Sequence, residues 1–360
     1  MAKSNFTSSK AKSGLSRRSV LAASAAAFTL PTIYINRARA AGETLVVRDP
    51  GGPWTKAGLE AFYKPFSKET GIEIVPVTAA HEPISQVKAM VDAKSYTWDV
   101  VILTISNQDL LGPAGYLEEL DLNAPFIAEL IPKARSKWFV GTDVYSTALS
   151  YRTDTIKKPM TNWADVWNVK DFPGRRSLRK HPIDSMEQAL LADGVAPDKL
   201  YPLDADRAFK KLNEIKSHVQ VWWTGGAQAS QLLKTGEVDI LATWNGRSQA
   251  AIDEGAPAKI VWDQALYSVE GWTIPKGNPK AKLGMKLVQF CANPERQAEY
   301  AKHIAYGPTN PNAYKLISKE RAAILPTNPD HFDKLIYQSH EYWGPNQEKM
   351  IERFNTWLLS

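Results

Sequence analysis

The residues best suited to chemistry in this chain are tryptophans and a few charged groups at the ends of short apolar runs. Trp244 closes the run Val238 to Thr243, Trp222 and Trp223 close Val219 to Val221, and Trp54 follows the turn Pro50-Gly51-Gly52-Pro53. An aromatic face attracts an ammonium by roughly 0.5–2 kcal/mol per contact, so indoles at strand ends suit capture of an amine. Neighbours on a strand face opposite ways, which assigns one of Trp222 and Trp223 to the core and leaves Trp54, Trp223 and Trp244 as candidates to face a ligand. The opposite charge has candidates too. Thr224-Gly225-Gly226-Ala227 offers backbone N–H groups at a helix start, and Arg247 follows Trp244 closely. Both suit a carboxylate. A tight turn at Gly225-Gly226 and a surface ion pair at Arg247 explain the same residues equally well.

Catalytic signatures are missing. The six histidines (His81, His181, His218, His303, His331, His340) show no metal-ligand spacing and no His-Glu-x-x-His segment. Gly51-Gly52 lacks the further glycine of a dinucleotide loop, and there is no Gly-x-Ser-x-Gly elbow. Cys291 lies in Val288-Gln289-Phe290-Cys291, an apolar helical context that reads as core, and a single cysteine cannot form an internal disulfide. No cofactor, metal or catalytic residue is expected. An enzyme on a similar α/β scaffold is the alternative that fold alone does not remove.

The elements that must position these residues follow from periodicity. Leu45 to Arg48, Ile72 to Val77 and Asp99 to Leu103 read as strands, separated by helices over Trp54 to Ser67 and Pro83 to Ala93. Gly71 stops the first helix. Further along, short helices are predicted over Thr161 to Trp167, Asp184 to Ala192 and Asp204 to Ile215. The clearest β-α-β unit then runs from the strand Val219 to Trp223, through the helix Gly226 to Lys234 with its stop at Gly236, to the strand Val238 to Trp244. After Gly277 the pattern is helical. Strands alternating with helices imply an α/β fold with mostly parallel sheet covered on both faces.

The first forty residues have a different character. Ser16-Arg17-Arg18-Ser19-Val20-Leu21 opens an apolar run to Ile35, and Ala38-Arg39-Ala40 is a small-residue cleavage site before Ala41. Adjacent arginines in that place match a twin-arginine export address. The run is too short to span about 30 Å of hydrocarbon and is interrupted by Pro31. Of 44 Lys and Arg against 38 Asp and Glu, seven basic and no acidic residues precede Ala41, so the exported chain is almost neutral. The excess of positive charge belongs to the targeting segment, and a nucleic-acid partner is not expected. The remaining chain exceeds what one core usually serves, so two lobes are expected, with no membrane-embedded segment once mature.

In order, Phe66-Ser67-Lys68-Glu69-Thr70-Gly71-Ile72, Asn162-Trp163-Ala164-Asp165-Val166-Trp167, Gly236-Glu237-Val238-Asp239, Trp244-Asn245-Gly246-Arg247, Ile274-Pro275-Lys276-Gly277 and Tyr306-Gly307-Pro308-Thr309-Asn310 resemble a bacterial solute-binding protein of an ABC importer, in the branch that includes spermidine/putrescine-binding proteins. The resemblance implies a periplasmic protein of two α/β lobes joined by crossing strands, with a small amine or amino-acid-like ligand between them and permease and ATPase subunits as partners. The expected division is a signal over 1–40, one lobe from 41–150 and 275–330, and a second from 151–274 and 331–360, in a monomer. It also implies roles: Trp244 as a ligand-facing indole, Glu270 as the acid that accepts an amine, and Asp184 as a second acid, although Asp184 equally suits a helix N-cap. The chain departs from the polyamine pattern in two places. Thr104-Ile105-Ser106-Asn107 has no aromatic where polyamine binders supply a tyrosine, and His181 replaces a further acid. A zwitterion and a polyamine both stay open as ligand.

Overall fold

The computed structural model describes residues 43–78 and 83–360. The export segment and its cleavage site lie outside the described residues. In chain order the elements are β1 (Thr44–Asp49), α1 (Pro53–Gly58), a π turn (Leu59–Tyr63), α2 (Lys64–Thr70), β2 (Glu73–Thr78), α3 (Ile84–Asp92), β3 (Val100–Thr104), α4 (Ile105–Leu111), β4 (Arg135–Ser136) and β5 (Phe139–Arg152). Then come α5 (Trp163–Trp167), β6 (Arg176–Arg179), α6 (Pro182–Ala192), α7 (Ala205–Lys216), β7 (Val219–Trp223), α8 (Gly226–Thr235), β8 (Ile240–Trp244), α9 (Asn245–Asp253) and β9 (Ala258–Thr273). The C-terminal part holds α10 (Ala281–Cys291), α11 (Pro294–His303), β10 (Gly307–Pro308), α12 (Lys319–Ala322), α13 (Pro329–Phe332), β11 (Ile336–Tyr337) and α14 (His340–Leu359).

Local chemistry accounts for most of the boundaries. Asp204 caps α7 by accepting from the Arg207 N–H at 3.0 Å, and Asn162 caps α5 by accepting from the Ala164 N–H at 2.9 Å. Gly71 and Gly236 end α2 and α8 in the left-handed region, where a Cβ is disfavoured. Asp184 does not cap α6. The His181 side chain does, and Ile183 and Asp184 leave helical geometry inside the first turn.

The strands form one sheet in the order β2-β1-β3-β9-β5-β8-β6-β7. β2, β1 and β3 make one parallel block, and β7, β6 and β8 make another. Between them run two long antiparallel strands, β5 of 14 residues and β9 of 16. The expectation of mostly parallel sheet therefore holds for the blocks, while the centre is antiparallel. The two boundaries expected between lobes, after 150 and after 274, fall beside the C-terminal ends of these two strands. β5 escapes hydropathy because Thr142, Asp143, Ser146, Thr147 and Ser150 are all buried along it. A strand buried on both faces shows no alternation when its polar side chains are bonded inside.

Apolar clusters cover the sheet. Leu45, Phe62, Phe66, Val100, Leu287 and Tyr300 belong to one, and Leu178, Met186, Phe209 and Leu212 to another that also takes Trp343, Met350 and Phe354 of α14. Because β1, β3, β6 and β8 all end toward the middle of β5 and β9, the carboxyl ends of both parallel blocks converge on one place. Open α/β sheets bind ligands at such convergences.

Candidate functional site

A small cavity of about 40 Å³ lies there, with room for roughly three or four water-sized groups. Pro50 and Trp54 border it after β1, Thr104 and Ser106 after β3, Arg179 and Ile183 after β6, and Trp244 and Arg247 at the β8–α9 junction. Tyr145 reaches it from the middle of β5, Ser268 and Glu270 from β9, and Tyr306 and Gln338 from the C-terminal part.

One end of the cavity is acidic. Glu270 sits on β9 opposite Asp143 of β5. Asp143 is fully buried, and one of its oxygens accepts from the Trp54 indole N–H at 3.2 Å and the Tyr300 hydroxyl at 3.3 Å. Its other oxygen has no hydrogen-bond partner among the described residues. Burial, and then the charge of Glu270, push the Asp143 carboxyl well above the usual range. Glu270 also rises through burial, against the opposing charges of Arg48, Arg247 and Arg179. Two neighbouring desolvated carboxyls do not both ionise readily, so the pair favours holding a proton.

Trp54 is held here by its loop. Asp49 accepts from the Gly51 N–H at 2.9 Å, the Thr55 hydroxyl at 2.5 Å and the Tyr63 hydroxyl at 3.1 Å, which folds the Pro50–Pro53 turn over the end of β1. Gly51 and Gly52 both have positive φ, +80° and +60°, a conformation that few other residues adopt in succession.

The other end is basic. Arg247, in the first turn of α9, is 4% exposed, and its Nε and Nη1 have no hydrogen-bond partner among the described residues. Its charge acts on the Tyr306 hydroxyl beside it. Arg179, at the end of β6, stands over the Trp244 ring at 5.1 Å and donates to Asp184 at 2.9 Å. Trp244 and Tyr145 meet edge to face, with ring centroids 6.2 Å apart, and add aromatic surface to the wall.

Of the residues singled out from sequence, Trp54, Trp244, Arg247 and Glu270 reach the cavity wall. Trp223 does not: it lies behind Trp244, ring centroids 5.2 Å apart, and donates to the Ala242 carbonyl at 2.9 Å. Trp222, on the other face of β7, packs against Phe354 and Trp357. Gly225 and Gly226 are also off the wall. A Cβ on Gly226 would come within 2.6 Å of Arg247 Nε and 3.0 Å of the Trp244 ring, so this glycine lets α8 approach the two side chains that do face the cavity. Asp184 is beneath Arg179, 1% exposed, and touches the cavity only through its partners.

Sequence reasoning missed Arg179, Asp143, Tyr145 and Gln338. Arg179 could have been found as the last residue of a strand before His181-Pro182, but Asp143 and Tyr145 lie in a strand with no periodic signal. Tyr306 stood inside a quoted motif without a role. Thr104 and Ser106 face the cavity where an aromatic was sought, and the phenolic rings come instead from Tyr145 and Tyr306. Among the described residues no cluster of three or more His, Cys, Asp or Glu could hold a metal ion, and no helix is long and apolar enough to cross a membrane.

Two parallel blocks tied by a pair of long central strands, with charged and aromatic side chains around a small shared cavity, define a binder of small solutes. The chain belongs to the bacterial extracellular solute-binding proteins, whose family model matches residues 61–327. It is 36% identical to the gamma-aminobutyric acid-binding protein of Pseudomonas aeruginosa, over 89% of this chain and 92% of that one. It is 26% identical to the spermidine/putrescine-binding periplasmic protein of Salmonella typhimurium, over 77% of this chain and 82% of that one. Among solved structures, an ABC transporter substrate-binding protein from Bradyrhizobium japonicum superposes with a TM-score of 0.83 at 39% identity, covering 88% of this chain and 99% of the other. The chain is a solute-binding protein and not an enzyme.

Proposed function

We propose that the protein captures a short zwitterionic amino compound, of which 4-aminobutanoate is the type, and delivers it to an ABC permease driven by its ATPase. The observation that carries this is the pairing of opposite ends: a protonatable acid pair at Glu270 and Asp143, and an almost fully buried Arg247 with two unpartnered N–H groups. An ammonium and a carboxylate on one small molecule satisfy both, whereas a polyamine leaves Arg247 facing a cation. The small cavity and the gamma-aminobutyric acid-binding relative agree with a ligand of that size.

Function rests on a hinge equilibrium. The lobe division expected from sequence, 41–150 with 275–330 and 151–274 with 331–360, makes β5 and β9 the hinge strands, and a ligand that bridges Glu270 and Arg247 stabilises the closed form that the permease recognises. The site is carried by Trp54, Trp244, Arg247, Glu270, Asp143, Arg179 and Tyr306 in direct or adjacent roles, with Trp223, Gly225, Gly226 and Asp184 supporting them. The protein acts in the periplasm as a monomer, exported through the twin-arginine route by Arg17-Arg18 and cut at Ala38-Arg39-Ala40.

Calorimetric titration with 4-aminobutanoate, putrescine and butanoate tests the ligand. The amino acid is expected to bind most tightly, and a preference for putrescine overturns the zwitterion reading. For export, replacing Arg17 and Arg18 by Lys is expected to abolish appearance of the protein in the periplasm. Unimpaired export of that variant overturns the route.

A further inference from the structure

Asp184 does not line the cavity, yet two residues that do are bonded to it. Its carboxylate accepts from Arg179 Nη1 at 2.9 Å and from Gln338 Nε2 at 2.8 Å, and a third donor, the Thr147 hydroxyl, lies at 2.8 Å. The backbone here is held in a rarely populated conformation, φ +79° and ψ −56°. Its N–H donates to Glu187 at 3.0 Å, which fixes the turn, and Ser185 ties back to the Arg179 carbonyl at 2.9 Å. A non-glycine residue at such angles persists where the surrounding structure over-determines it, and such positions cluster at ligand clamps.

We propose that Asp184 sets the charge of the binding site without touching the ligand: it neutralises and positions Arg179, so that Arg247 is the cavity-wall cation left to pair with a ligand carboxylate. The inference rests on the zwitterion reading. Without Asp184 the wall would present two uncompensated guanidiniums against Glu270 and would favour ligands with excess negative charge. With it, Arg179 is turned into a stacked lid on Trp244, and the site balances one ammonium against one carboxylate. Asp184 is thus a positioning residue whose effect shows in selectivity.

Asp184→Asn tests this. Asparagine keeps the shape and tolerates positive φ better than most residues, so the turn is expected to survive. Putrescine, 4-aminobutanoate and succinate form a series with the same four-carbon backbone and net charges of +2, 0 and −2. In the wild type, 4-aminobutanoate is expected to bind best. In Asp184→Asn, affinity for succinate relative to putrescine should rise by about tenfold or more, the direction required when one negative charge leaves a desolvated site. Arg179→Gln, which removes the positive partner instead, should move the same ratio the other way, and reads the effect independently if the asparagine variant melts early. The double variant should return to within about threefold of the wild-type ratio, because the charge is restored. A wild type that prefers putrescine overturns the ligand reading and this inference with it. A wild type that prefers 4-aminobutanoate, with variants whose ratios are unchanged or that lose all three ligands by one common factor, overturns the role of Asp184 alone.

Discussion

The two ends of the cavity solve the problem of a buried charge differently. At the acidic end Glu270 is backed by a second acid, Asp143, and the charges of Arg48, Arg247 and Arg179 offset its burial only in part. At the basic end Arg179 is already paired with Asp184, while Arg247 keeps two N–H groups unbonded. A protein interior tolerates an unpaired charge poorly, and under the proposed function a ligand completes both ends. The acidic end can wait by holding a proton. The basic end cannot shed one, because guanidinium does not deprotonate in proteins. The acidic end should therefore respond to pH and the basic end to ligand chemistry.

The largest test of that contrast removes one end at a time. Glu270→Gln and Arg247→Ala should each weaken 4-aminobutanoate binding by about 2–5 kcal/mol in calorimetric titration, since each leaves the partner charge desolvated. With putrescine the two variants should part in sign: Glu270→Gln weakens binding and Arg247→Ala leaves it unchanged or improves it. Equal losses for both ligands in both variants would break the assignment of ends.

Gly226→Ala should cost about 1–3 kcal/mol of binding, because the added methyl would meet Arg247 Nε at 2.6 Å and must push it or the helix aside. Normal affinity in this variant would show that Arg247 does not need its present place.

Next comes pH. Asp143 and Glu270 are both raised in the empty protein, first by burial, so a bound ammonium displaces a proton from the pair. Affinity should then rise with pH through the raised range and fall on acidification, and calorimetry in two buffers of different ionisation enthalpy should show proton release on binding. Asp143→Asn should reduce that release.

A separate effect concerns stability away from the cavity. Glu187 accepts from the Tyr201 hydroxyl at 2.7 Å and from the Trp343 indole, yet burial, and then the charge of Asp184, push its carboxyl up to about 7. A carboxyl raised in the folded state stabilises the fold when protonated. That contribution, roughly 3 kcal/mol, is fully present below the unfolded value and is lost as pH rises through the folded one. Denaturant unfolding of the ligand-free protein should thus show a component of stability that declines between about pH 4.5 and 7 and is absent in Glu187→Gln.

What the sequence by itself determined was local. Glycine stops at Gly71 and Gly236, helix starts near Thr161 and Asp204, and periodic apolar runs placed β1, β2, β3, β7 and β8 and several of the helices between them, though not β6, because each signal depends on neighbours within a turn or two of chain. The same reasoning put Trp54, Trp244, Arg247 and Glu270 forward, as charged or aromatic residues at strand ends or beside them. Tertiary structure alone decided which of them share a cavity and what stands behind each. β5 carries no pattern because it is buried on both faces with polar residues among its inward side chains, so Asp143 and Tyr145 were invisible until β5 paired with β9. Asp184 read from sequence as a ligand acid or a helix cap. Only the approach of Arg179 and Gln338, 5 and 154 residues away in the chain, shows it bound to the cavity wall instead. The charge that a site presents is a sum over groups brought together by long-range packing, and no stretch of sequence contains that sum.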